Sequence, residues 1–200
     1  MNARLLTAMV TPFAPDGNVD LDEAARVARF LVERGNDGIV VAGSTGEGPT
    51  LADDERLALF RAVKAAVPHA TIVASTGDNN TAHSIELTRA ASQGGADVIM
   101  ATVPAYNKPT QEGLVEHFAA VARSTELPVL IYNIPGRTAT NMLPATFAAL
   151  CERAKNVVAI KESTGDFNQF NRLLTSVPER VRVYSGDDYC YLPALSIGAF

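Results

Sequence analysis

The chain has 200 residues, 47% of them hydrophobic and 20% charged, with a net charge of −5. That is material for one sizeable core, and its acidic balance gives no electrostatic footprint for nucleic acid or an anionic membrane surface, which favours a small-molecule partner. The two cysteines, Cys151 and Cys190, show neither metal nor redox spacing and suit a reducing cytoplasm, so no disulfide is expected.

The N-terminal stretch MNARLLTAMVTPFAPDG carries a short apolar run after one arginine. It is too short to span a membrane, and Pro12, Pro15 and Asp16 stand where a signal peptide needs small residues, so Leu5 to Val10 reads as a first strand. Asp20 then caps a helix over Leu21 to Arg34, with Glu23 three residues on and Gly35 as its stop. A second strand, Gly38 to Gly43, runs into the loop GSTGEGPT. Thr50 and Asp53 open the helix LADDERLALFRAVKAAV, whose stripe Leu57, Phe60 and Val63 is bordered by Lys64. Further strands read over Thr71 to Thr76, Asp97 to Val103, Pro128 to Asn133, Asn156 to Glu162 and Val181 to Gly186. Thr110 caps the helical segment QEGLVEHFAAVARS.

Strands that are apolar on both faces and joined by helices imply a parallel sheet. No Gly-x-Gly-x-x-Gly follows the first strand, which removes the main dinucleotide-binding cue. Units recurring at roughly 25 to 35 residues, each strand ending in a small or polar residue, predict a single (β/α)8 TIM barrel domain over residues 1–200. Such barrels need about 250 residues. The chain reaches LSIGAF where an eighth strand would start, so the C-terminal strand and helices are expected to be missing.

In this fold chemistry sits at the C-terminal ends of the strands. The residues there are Thr11, Gly43 to Glu47, Tyr106, Tyr132, Arg137, Lys161 and Gly186. A lysine at a strand end ordinarily snorkels into water, whereas a desolvated one has its pKa lowered and supplies a neutral amine for attack on a carbonyl; position alone leaves Lys161 evenly between the two. Tyr132, ending the neighbouring strand, reads alone as a core aromatic, but beside such a lysine its phenol can move the protons of imine formation. The loop Gly43 to Thr50 lacks a P-loop ending; it is either a plain turn or a nest of backbone N–H groups for a carboxylate. Arg137, after a Pro-Gly turn, is either solvated or a bidentate clamp for a second carboxylate. The three histidines, His69, His83 and His117, share no metal spacing. Asp187 and Asp188 suit a carboxylate site or a helix cap, and no Ser/His/Asp arrangement assembles.

GSTGEGPTL, AYNKPTQEGLVEHF, YNIPGRT, VVAIKESTGD and YSGDD resemble, in order and spacing, the dihydrodipicolinate synthase and N-acetylneuraminate lyase superfamily of class I pyruvate aldolases. The similarity runs from Leu5 to Phe200. It implies a cytoplasmic enzyme of amino-acid biosynthesis in which Lys161 forms an imine with pyruvate and no cofactor is needed. Tyr132, Thr45 and Tyr106 would form a proton relay, with Tyr106 reaching across a subunit interface of a homotetramer built as a dimer of dimers. Backbone amides of Ser44 and Thr45 would hold the pyruvate carboxylate, Gly186 would lie near the second substrate, and no metal would take part. An arginine at Arg137 implies L-aspartate 4-semialdehyde as that substrate, made into a lysine and diaminopimelate precursor; a sugar-acid or N-acetylneuraminate aldolase is the alternative, as is an inactive truncated form. Ser44 stands where the synthases usually have threonine, which loosens its rotamer. Gly48, Asp53, Arg56, His83 and Ala105 occupy the region where other members bind lysine as an inhibitor, which implies weak or absent lysine inhibition.

Overall fold

The computed structural model describes residues 1–200. Seven strands alternate with helices, and the strand order in the sheet follows the chain from β1 to β7. This is the (β/α)8 pattern expected from the sequence, over seven of its strands. No helix is long and apolar enough to cross a membrane. The chain divides into two compact units, one of Asn2–Thr76 with Leu87–Ile99, the other of Met1, Gly77–Glu86 and Met100–Phe200.

The first unit contains β1 (Leu6–Ala8), α1 (Leu21–Glu33), β2 (Gly38–Val41), α2 (Asp53–Ala66), β3 (Thr71–Ser75) and the later part of α3 (Thr81–Gln93). β1 pairs with β2 and β2 with β3, both parallel, and every residue of β2 is buried. Two covered faces explain why GIVV reads as an unbroken apolar run. Ile39, Leu59, Phe60, Val63 and Ile72 lose all exposure, each contributing about 1.5–3 kcal/mol. Lys64 Nζ reaches the Asp97 carboxylate at 2.8 Å, and the same Oδ2 accepts from the backbone N–H of Ile72 at 2.8 Å.

Two helix starts differ from the sequence expectation. Asp20 Oδ1 does accept from the Glu23 backbone N–H at 2.9 Å. The Glu23 carboxylate turns to Arg26 instead of reaching back, and the Asp20 backbone N–H goes to the Pro12 carbonyl, so half of the capping box forms. Thr50 and Asp53 do not cap α2. Thr50 Oγ1 donates to the Glu47 carbonyl within a 3-10 turn, Gly48–Thr50, and the N-cap is Ala52, whose backbone N–H is taken by Glu55 Oε2 at 2.8 Å. Asp53, Asp54 and Glu55 in the first turn oppose the positive end of the helix dipole.

The second unit carries the end of β4 (Val98–Thr102), then α4 (Gln111–Ala122), β5 (Val129–Asn133), α5 (Pro135–Thr138), α6 (Pro144–Arg153), β6 (Val157–Glu162), α7 (Phe167–Ser176), β7 (Arg182–Ser185) and α8 (Asp188–Ser196). Thr110 caps α4 as expected, accepting from the Gly113 backbone N–H at 3.1 Å. β5 is buried throughout, and Phe118, Phe147 and Phe170 from α4, α6 and α7 are fully enclosed.

Parallel pairing of β5 with β6 contains one irregularity. Val129 lies opposite Val157, but Leu130 lies opposite Ala159, which leaves Val158 as an extra residue on β6. From there Tyr132 faces Lys161 and Asn133 faces Glu162. The segment LSIGAF is not the start of a strand at Leu195: Leu195 and Ser196 end α8, Gly198 takes a φ of +104°, and the Phe200 backbone N–H donates to the Val183 carbonyl of β7 at 2.9 Å.

Backbone approach within the first unit is close at Gly38, where an added Cβ would stand 2.3 Å from the Thr71 carbonyl oxygen. Gly38→Ala is expected to cost about 1–3 kcal/mol; an unchanged urea midpoint would contradict this packing.

Candidate active site

β5 and β6 end side by side, and the period of two along each strand sends successive side chains to opposite faces. Tyr132 and Lys161 therefore share one face, and Asn133 and Glu162 the other. On the first face Lys161 Nζ stands 4.2 Å from the centre of the Tyr132 ring. Burial pushes the Lys161 amine below the ordinary lysine value, against the pull of Asp187 and Asp188 in the other direction. Burial also pushes the Tyr132 phenol up, where it stays protonated; the Ser163 hydroxyl pulls it down, Asp187 pushes it up and Arg137 pulls it down. An amine with reduced proton affinity beside a protonated phenol is a nucleophile next to a proton donor.

The opposite face holds a buried polar plug. Glu162 has no exposure, and its carboxylate accepts from Asn133 Nδ2 at 3.0 and 3.3 Å, from Gln169 Nε2 at 3.2 Å and from the Thr164 backbone N–H at 2.9 Å. Asn133 Oδ1 accepts from the Met142 backbone N–H at 3.0 Å, while Asn141 and Gln169 exchange amide hydrogen bonds at 2.9 and 3.0 Å. Burial pushes the Glu162 carboxyl up and its hydrogen bonds pull it down. All of its partners donate, so the geometry suits the ionised form. Strand tip β6 is thereby tied to β5 and α7 directly behind the lysine.

Gly186, after β7, sits against Lys161. A Cβ there would meet Ser163 Oγ at 2.0 Å and Lys161 Cε at 2.8 Å, so only glycine leaves room for both side chains. Asp187 stands at the N-cap of α8 without a side-chain capping bond. Its charge bears on both Lys161 and Tyr132. The Pro-Gly turn expected before Arg137 is a helical turn, α5, and Arg137 is exposed on it. Tyr106 is 91% exposed with a φ of +73°, a conformation costly for a residue with a Cβ. Its backbone N–H donates to the Thr138 carbonyl at 3.3 Å, which ties its loop to α5.

In the other unit Ser44 and Thr45 are exposed on a pinned loop. Thr11 Oγ1 donates to the Gly46 carbonyl at 2.6 Å, and buried Arg56 donates through Nη2 to the Gly48 carbonyl at 2.5 Å. Gly48 has no space for a side chain, since a Cβ would lie 2.0 Å from the Ala42 carbonyl oxygen. Ala42 and Glu47 take positive φ of 54° and 56°. This loop is thus a strained, buttressed turn that presents two hydroxyls.

Sequence reasoning missed Ser163, Asn133, Glu162 and Gln169. Asn133 and Glu162 directly follow Tyr132 and Lys161, and a polar residue on the buried opposite face of each strand was the available signal. No group of three or more His, Cys, Asp or Glu side chains is arranged to hold a metal ion.

The sequence model of the Dihydrodipicolinate synthetase family matches residues 1–200. The chain is 52% identical over 198 residues to the 4-hydroxy-tetrahydrodipicolinate synthase of Moorella thermoacetica, covering 98% of this chain and 68% of that relative. It is 47% identical over 193 residues to the Bacillus subtilis protein of the same name, covering 96% of this chain and 67% of the relative. Among solved structures, a dihydrodipicolinate synthase from Bacillus anthracis superposes with a TM-score of 0.96 at 43% identity, covering 98% of this chain and 68% of that one. One from Acinetobacter baumannii, complexed with pyruvate, gives 0.95 at 38% identity, covering 100% and 68%. The chain spans about two thirds of the length of these relatives.

Two outcomes follow from the strand-tip geometry. Glu162→Gln turns an NH2 group toward the amide donors of Asn133 and Gln169 and should cost about 2–4 kcal/mol; equal stability of the variant in chemical denaturation would contradict the plug. Lys161 binds its proton less tightly folded than unfolded, so between its lowered pKa and 10.5 the unfolded chain holds more protons and stability rises with pH. Lys161→Met should remove that rise and be more stable than wild type at neutral pH. Parallel stability profiles for the two proteins would show that the amine is not desolvated.

Proposed function

The chain belongs to the dihydrodipicolinate synthetase family, and on that premise we propose that it condenses pyruvate with L-aspartate 4-semialdehyde through an imine on Lys161, giving 4-hydroxy-tetrahydrodipicolinate. The observation that carries this reading is the desolvated Lys161 amine held 4.2 Å from the centre of the Tyr132 ring. Lys161 Nζ adds to the C2 carbonyl of pyruvate to give a carbinolamine. Tyr132 then protonates the departing hydroxyl, water leaves and a protonated imine remains on the lysine. Loss of a C3 proton gives the enamine, which attacks the aldehyde. The covalent imine is the electron sink, so the reaction needs no cofactor.

The other roles follow the family pattern. Thr45 and Tyr106 complete the proton relay, Ser44 and Thr45 receive the pyruvate carboxylate through their backbone amides, and Gly186 borders the second substrate. Tyr106, 91% exposed on a strained backbone, suits a side chain that serves a neighbouring subunit, and a homotetramer built as a dimer of dimers is the assembly proposed with it. Arg137 favours the aldehyde acid over a sugar acid: it is exposed on α5, and its charge already acts on the Tyr132 phenol. A guanidinium there gives bidentate recognition of a carboxylate.

Borohydride added with pyruvate should leave a stable adduct on Lys161, located by peptide mass mapping, and none on Lys161→Ala. Tyr132→Phe should slow trapping by about 10²-fold. Arg137→Ala should leave trapping intact and raise KM for the aldehyde. A folded wild-type protein that acquires no adduct on Lys161 would exclude the reaction.

A further inference from the structure

Ser163 lies one residue beyond the end of β6 and takes no part in the steps assigned to Lys161 and Tyr132. It is 9% exposed, and its Oγ is buried with no hydrogen-bond partner of good geometry. An unpaired buried hydroxyl is costly and rare, so each one calls for a physical account. Here the surroundings supply one. Ser163 Oγ and Lys161 Cε converge on the same point over Gly186, which lacks the Cβ that would fill it. Burial pushes the Tyr132 phenol up, and the same hydroxyl pulls it partway back. Its backbone is fixed from both sides: the Ser163 N–H donates to the Asn133 carbonyl at 2.9 Å, and Glu162 before it is held in the polar plug. Ser163 is therefore a rigidly placed donor without a hydrogen-bond partner, beside the Lys161 side chain and two residues after it, on the face that Lys161 shares with Tyr132.

We propose that Ser163 is a positioning residue of the imine-forming step, its hydroxyl donating to Tyr132 Oη as that phenol gives up its proton. The inference rests on the imine reading given above. In the step, the carbinolamine C2–O bond breaks, the hydroxyl leaves as water with the proton from Tyr132 Oη, and the nitrogen lone pair forms the C=N bond. The products are a protonated imine on Lys161 and a Tyr132 phenolate. Tyr132 is buried, and a hydrogen bond from Ser163 Oγ stabilises its phenolate in place of bulk water. Such a bond strengthens as negative charge develops on the phenol oxygen, which lowers the barrier and not only the energy of the bound state.

The test compares wild type, Ser163→Ala and Ser163→Thr in two readouts. The first is the rate and pH dependence of borohydride trapping of pyruvate on Lys161. The second is spectrophotometric titration of the Tyr132 phenol, isolated by subtracting Tyr132→Phe, which requires no pyruvate. Ser163→Ala should trap about tenfold more slowly, its phenol should titrate at higher pH, and Ser163→Thr, which keeps the hydroxyl, should recover to within about threefold of wild type. Removing an unpaired buried hydroxyl should leave the melting temperature of Ser163→Ala at or above that of wild type, which separates this effect from misfolding. Wild-type trapping with an unaltered Ser163→Ala rate and phenol titration would overturn the role of Ser163 alone. Equal impairment of Ser163→Ala and Ser163→Thr would overturn it too, because shape and not the hydroxyl would then matter. Absence of any adduct on wild type would overturn the imine reading and this role in it.

Discussion

The register between β5 and β6 is the constraint on which the strand-tip chemistry depends. One extra residue, Val158, shifts the pairing after Val129, so that Tyr132 meets Lys161 and Asn133 meets Glu162. Because side chains alternate along a strand, a slip of one residue would set Lys161 opposite Asn133 and separate the amine from the phenol. A bulge of this kind re-aims side chains at the end of a strand, and here it aims four of them at once. The buried plug of Asn133, Glu162 and Gln169 then locks the register from behind, through hydrogen bonds that an alternative pairing would leave unmade.

The same arrangement costs stability. Glu162 is fully buried and its neighbour Lys161 half-buried, and burial opposes the charged form of each. The two are resolved differently. Glu162 receives donors on both oxygens, a satisfied network that offsets part of the upward push of burial on its carboxyl. Lys161 receives no such shell; it has an aromatic face and two carboxylates acting at a distance, and its proton affinity falls. The buried carboxylate serves structure because its oxygens are satisfied by hydrogen bonds, and the half-buried amine serves chemistry because it has no such shell.

Much of this was legible in the sequence, and for a physical reason. Strands covered on both faces leave unbroken apolar runs, so GIVVAG, PVLIYN and NVVAIKE could be placed to within a residue or two, and the strand tips could be searched for function. The proposed amine, the phenol and the arginine came from that search. What stayed hidden was non-local. Nothing in Val157 to Ile160 marks Val158 as the extra residue, since a bulge is a property of two strands and not of one. Gln169 and Asn133 are separated from Glu162 by an entire turn or a whole β/α unit, so the plug has no local signature. The start of α2 was misplaced because Thr50 finds a nearer carbonyl at Glu47, and a glutamate three residues into the helix supplies the cap that alanine cannot.

The fold itself lowers the proton affinity of Lys161 by burial and sets its amine against a phenol. Competitive chemical labelling of Lys161 as a function of pH, read by mass spectrometry against the other lysines, measures that desolvation directly. Lys161 Nζ is expected to titrate below the ordinary lysine value of 10.5, and Glu162→Gln, which loosens the strand tip, to bring it back toward that value. Titration of Lys161 at or above 10.5 in the folded wild-type protein would contradict it.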